Sequence, residues 1–147
     1  MEKNPGAGLG VIILNDLREV LLILRNEDSV KADSDMRLEG TWTLPAGKVK
    51  YGETIFDAAK RKALSEVNLL IDDLSVVSLA DDINEYAHFL TVGIKAGVWS
   101  GEISLGDTEE HIDYGFFAMD SLPINLCEPS KKILRNYQTG ELYKEEK

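Results

Sequence analysis

Along the chain the spacing of apolar positions changes several times, and each change marks an element. Residues 8–14 and 20–25 are two runs rich in aliphatic and β-branched side chains, divided by Asn15-Asp16-Leu17-Arg18, and they predict two strands joined as a hairpin. Residues 27–39 hold many charges and few apolar side chains, which predicts a loop. A loop of that length in a compact domain is commonly a lid or a disordered segment, with a plain solvated loop as the other reading. From position 55 the period becomes helical: Ile55, Phe56, Ala59, Ala63 and Val67 make one apolar face, so a helix over 55–67 is expected to pack through it and turn its other side outward. Thr54 can cap that helix, with Asp57 three residues on. Residues 74–80 read as a strand, and His88, Leu90, Val92, Ile94 and Ala96 fall on one face of another by period two. Residues 114–118 suggest a further short strand. Near the end Pro129 suits a first helical turn, Ile133, Leu134 and Tyr137 share a face, and Gly140 can close the helix.

Strands, a central helix, more strands and a final helix argue for an α/β fold, a mixed sheet with helices packed on it. The 147 residues are expected to form one domain with its core over about residues 8–137. A chain of that length buries roughly 68–70% of its unfolded surface, enough for its own core. No apolar run approaches the ~20 residues of a membrane span, and no basic region precedes an apolar stretch at the N-terminus. The expectation is a soluble, cytoplasmic protein with no membrane partner. Cys127 is the only cysteine, so neither an internal disulfide nor a cysteine-built metal site is available, in keeping with a reducing compartment.

A net charge of −10 argues against long nucleic acid as a partner, because the chain offers no Lys/Arg stripe to displace counterions from a phosphate backbone. Acidity does suit a divalent cation, which in turn can recruit a small phosphorylated ligand.

The candidate chemistry lies between the strands and the final helix. Gly40-Thr-Trp-Thr-Leu-Pro-Ala-Gly-Lys-Val-Lys-Tyr-Gly-Glu53 is followed by a helix carrying Arg61 and Glu66, with Gly47, Glu53, Arg61, Ala63, Glu66 and Leu69 at fixed intervals. This stretch resembles a degenerate Nudix box. It departs from the family pattern at three positions: Lys62 and Ser65 stand where the family has glutamates, and Asn68 stands where it has glycine. Asn is the next best residue for the left-handed turn that ends a helix, so the last departure changes little.

The resemblance implies an α/β/α Nudix sandwich and a hydrolase that cleaves a diphosphate linkage in a nucleoside di- or triphosphate derivative, using Mg²⁺ or Mn²⁺. It implies the Gly47 carbonyl, Glu66 and a loop acid, Glu110, as metal ligands. Glu66 and Glu110 would be catalytic, with Glu53 and Arg61 as an ion pair holding loop to helix. Lys62, Ser65, Lys48 and Phe89 are the candidates for substrate contact, although Phe89 also reads as core. Residues 88–101 loosely resemble the branch of the family that handles nucleoside triphosphates. The implied partner is a small nucleotide-like ligand; a homodimer is the other association to consider.

The departures carry a physical consequence. An ammonium about 5 Å from a divalent cation repels it by roughly 6 kcal/mol at an effective dielectric of 20, and by under ~2 kcal/mol through water. A second reading therefore stands beside the first: a Nudix-fold module that has lost hydrolysis and binds a phosphorylated ligand or a protein partner. His88 and His111 are too far apart to suggest a ligand pair by spacing, and each reads as a structural histidine. Trp42 and Trp99 read as packing residues.

Overall fold

The computed structural model describes residues 3–146. Among these residues seven strands form two sheets. The first holds β4 (Ala46–Lys48), β1 (Gly6–Ile12), β6 (His88–Ser100) and β5 (Leu70–Ile83) in that order. It is mixed, because β1 runs parallel to β6 while the other two pairings are antiparallel. The second is antiparallel, with order β3 (Trp42–Thr43), β2 (Val20–Arg25), β7 (His111–Phe117). Three helices complete the fold: α1 (Ser29–Ala32), α2 (Ile55–Val67) and α3 (Glu128–Thr139).

Strand alternation builds two apolar layers. Leu9, Val11 and Ile13 of the first segment and Leu21 and Ile23 of β2 pack with Ala58, Ala59, Ala63 and Val67 of α2. Ile12, Val20 and Leu22, on the opposite faces, pack with Leu44 and with Ile133 and Leu134 of α3. The two long helices therefore cover opposite sides of the strands, which is the expected α/β/α sandwich.

The hairpin expected over 8–25 exists only at its turn. Asn15 N–H bonds Glu19 O and Leu21 N–H bonds Ile13 O, after which the chains diverge into different sheets. β1 instead finds its parallel partner some eighty residues away in β6. The strands expected at 74–80, 88–96 and 114–118 are present and longer. Of the predicted β6 face, Ile94 and Ala96 are buried while Leu90 is exposed. The charged segment 27–39 is a loop interrupted by α1, whose first turn is capped by Asp28 accepting from Val30 and Lys31 N–H.

α2 has the expected limits. Thr54 Oγ1 accepts from Asp57 N–H at 3.1 Å, and Asn68 ends the helix in the left-handed region at φ 62°. Its buried face is rotated from the one predicted: Ala58 and Glu66 are buried with Ala59, Ala63 and Val67, and Phe56 is 38% exposed. Counting only apolar residues hid Glu66 from that face. Trp42 packs edge-on against Phe117 at 4.9 Å, and Trp99 donates from Nε1 to Leu14 O at 2.8 Å, as packing residues do. Among the described residues no helix is long and apolar enough to cross a membrane.

Candidate active site

Where β3 passes into β4 the chain crosses from one sheet to the other through Leu44-Pro45, and β4 beyond the crossing meets α2. Glu66 ties the two together: its Oε1 accepts from Ala46 N–H at 2.8 Å. The side chain is 6% exposed, not on an outward arc as its position on the predicted helix suggested. Its second oxygen, Oε2, lies 3.4 Å from Lys62 Nζ, one turn back on α2, and 3.9 Å from His111 Nε2 at the start of β7. Glu110 Oε1 lies 3.8 Å from the same histidine nitrogen and 3.8 Å from Arg25 Nη1.

Glu66, Glu110 and His111 thus form an acidic and imidazole group of the kind that holds a divalent metal, each offering one ligand atom with all of them within 4.8 Å of one another. His111 Nε2 is buried without a hydrogen-bond partner, an orphaned ring nitrogen 3.9 Å from Glu66 Oε2 and 3.8 Å from Glu110 Oε1. Burial, with Arg25 and Lys62 adding repulsion, pushes the imidazole down to about 4, so at neutral pH it is uncharged, the form that ligates metals. Burial pushes the Glu66 carboxyl up, while Lys62, the Ala46 N–H and Arg25 pull it back. Glu110 is also raised by burial and lowered by Arg25 and Lys62.

Glu66 and Glu110, though not the buried His111, open onto a cleft of about 490 Å³, within the usual range for small-ligand sites. Gly47, Lys48, Arg61, Lys62, Glu66, Phe89 and Glu110 line it. Ser65 and Glu53 do not. Ser65 is exposed, and its hydroxyl turns back toward Lys62 O. Glu53 acts from behind the lining. It takes Arg61 Nε at 2.7 Å and Nη2 at 3.0 Å, while Lys50 N–H donates to it at 3.0 Å and Arg61 also donates to Lys48 O. Loop and helix are joined there by a bidentate pair, which together with the Lys50 N–H holds the Glu53 carboxyl down at about 2.

That depressed value sets a pH dependence. The group's contribution is fully present above its unfolded value of 4.5 and is lost as pH falls toward 2. Glu53→Gln is therefore expected to flatten the fall in melting temperature across that interval relative to wild type. Parallel curves for the two proteins would show that the pair contributes no stability.

The sequence left two groups out of the site. Arg25 ends an otherwise apolar strand, and that lone charge was the available signal; it lines the cleft and donates to Ala32 O at 2.9 Å. His111 reads as structural from its spacing, although it directly follows Glu110 where a loop becomes a strand. The loop wall was also unassigned: Asp33, Ser34, Asp35, Met36 and Leu38 line the cleft, Asp35 pairs with Lys48, and Asn84 Nδ2 holds Met36 O at 3.0 Å. His88 is exposed and stands outside the lining.

The NUDIX domain model matches residues 4–137, and that span includes every residue of the cleft. The chain belongs to the Nudix family. Similarity to individual Nudix proteins is moderate. An 8-oxo-dGDP phosphatase of Mus musculus is 28% identical over 126 residues, covering 86% of this chain and 36% of its own length. An ADP-ribose pyrophosphatase of Methanocaldococcus jannaschii is 28% identical over 136 residues, covering 91% of this chain and 73% of its own. The crystal structure of a MutT Nudix hydrolase from Burkholderia pseudomallei superposes with a TM-score of 0.80 at 26% identity, covering 91% of this chain and 98% of that one. Against the mouse protein the chain spans only about a third of the relative's length.

Proposed function

We propose that this Nudix protein hydrolyses a diphosphate linkage in a nucleoside di- or triphosphate derivative, with the help of a divalent cation. The observation that carries the reading is the group of Glu66, Glu110 and His111, whose two carboxylates stand at the wall of a cleft rich in cations. Arg25, Lys48, Lys50, Arg61 and Lys62 face four acids there, a local balance of +1 in a chain whose net charge is −10. A cleft so out of keeping with the rest of the surface suits a phosphate-bearing ligand. The relatives named for ADP-ribose and 8-oxo-dGDP support the same class of substrate.

The donor set fits a divalent ion. Two carboxylates suit Mg²⁺ or Mn²⁺, Gly47 lines the same cleft, and the imidazole nitrogen tilts the set toward the transition metal. When bound, such an ion draws charge from the phosphoryl oxygens and makes water a better nucleophile. The chain's own residues do the rest. Glu110, less buried than Glu66 and raised above the ordinary carboxylate value, takes the proton from the attacking water in this reading. Lys48 and Arg25 supply positive charge for the phosphates, and the Glu53–Arg61 pair fixes the loop that carries Gly47 and Lys48. Phe89, at the cleft's lining, offers a ring on which a base can stack.

The second reading, a module that binds a phosphorylated ligand without cleaving it, is favoured by the Lys62 ammonium 3.4 Å from Glu66, where it opposes a metal ion. Assay of the purified chain with ADP-ribose, 8-oxo-dGDP and nucleoside triphosphates in Mg²⁺ and in Mn²⁺ separates the two. Turnover of one class of substrate, faster in Mn²⁺, is expected. Tight binding with no turnover of any of them would establish the module instead.

A further inference from the structure

Three features place Lys62 more firmly than a surface lysine. Its Nζ lies 3.4 Å from Glu66 Oε2, the one oxygen of that buried carboxylate not taken by the Ala46 N–H. Its stem lies on Gly47, where an added Cβ would come within 2.4 Å of Lys62 Cε and 2.7 Å of Cδ. Its side chain is 21% exposed and faces the cleft. The glycine at 47 has no left-handed backbone to accommodate, so the space it leaves is space for this lysine. An ammonium is thereby held on the oxygen that a divalent ion would need, and two cations on one oxygen repel each other.

We propose that Lys62 is a tethered cation of the diphosphate site, neutralising Glu66 in the free protein and moving onto the phosphate oxygens of the ligand. The inference rests on the diphosphate reading given above. It has two consequences. The cleft binds a diphosphate with no divalent ion present, because the chain carries a cation of its own. It also admits the ion readily only together with the ligand, because the ligand draws the ammonium off Glu66 Oε2. The metal and the diphosphate are then positively coupled, each raising the other's affinity by the same factor.

Calorimetric titrations of the full chain test this, with inorganic pyrophosphate in EDTA, with pyrophosphate in Mg²⁺, and with Mn²⁺ alone. Wild type is expected to bind pyrophosphate in EDTA. Lys62→Met should weaken that binding about tenfold or more, the loss typical of one charge-assisted contact. Lys62→Arg keeps the charge and should retain most of it. For Mn²⁺ alone the order reverses: Lys62→Met should bind the ion about tenfold more tightly than wild type, a gain that misfolding cannot produce. Unchanged Mn²⁺ affinity in Lys62→Met, or pyrophosphate binding in EDTA equal to wild type, would overturn the proposal. Wild-type binding in Mg²⁺ with none in EDTA would also overturn it, yet leave the diphosphate reading standing. Binding under neither condition would remove both.

Discussion

Glu66→Gln is expected to lower the rate of diphosphate hydrolysis at least about 100-fold with little change in melting temperature. A metal ion's stabilisation of the transition state amounts to several kcal/mol, and every ~1.4 kcal/mol is a factor of ten. The substitution keeps the shape of the side chain, and the amide oxygen can still accept from Ala46 N–H as Oε1 does at 2.8 Å. What it removes is the charge on Oε2, the oxygen that faces His111 and Lys62. Initial rates in Mn²⁺ and a thermal melt, made on the same preparation, read the two effects separately. A near-normal rate would show that Glu66 serves only to tie α2 to β4.

The largest effect on stability is expected from Ala63→Asp. Ala63 is fully buried on α2 among Leu9, Val11, Ile13 and Ile94, and none of these can partner a carboxylate. An unpaired buried charge costs several kcal/mol, and about 4 kcal/mol is a large share of the 5–15 kcal/mol that holds a domain together. For a chain of this size the melting temperature should fall by roughly 10 °C or more. Chemical denaturation with the midpoint compared between the two proteins checks it. A midpoint within experimental error of wild type would mean that α2 does not pack through this face.

What the sequence made legible was what repeats. β2, α2 and α3 are long enough to show a period, and their limits agree with it to within a residue or two. β3 and β4 have two and three residues, too few for any period, yet they carry Gly47 and the Ala46 N–H that fixes Glu66. The partner of β1 was invisible for another reason: turn chemistry at Asn15 is local, whereas pairing with β6 is decided by burial far along the chain. The pairing of Glu53 with Arg61 comes from the family resemblance, and the two sit on one loop–helix unit with Arg61 Nε 2.7 Å from Glu53 Oε2. His111 could not be joined to Glu66 from spacing, since 45 positions separate them and their atoms come to 3.9 Å through the loop before β7, where Gly106 N–H donates to Glu66 O. The helical period puts Glu66 on α2, but its burial depends on β4, which that period does not see.

Turnover in water enriched with ¹⁸O, followed by mass spectrometry of the products, tests the central claim most directly. If water attacks a diphosphate linkage in this cleft, one ¹⁸O should enter one of the two phosphorylated products, and in Glu66→Gln the labelled product should fall with the rate. Nucleotide substrates recovered intact and unlabelled, or label appearing equally in the Glu66→Gln protein, would contradict it.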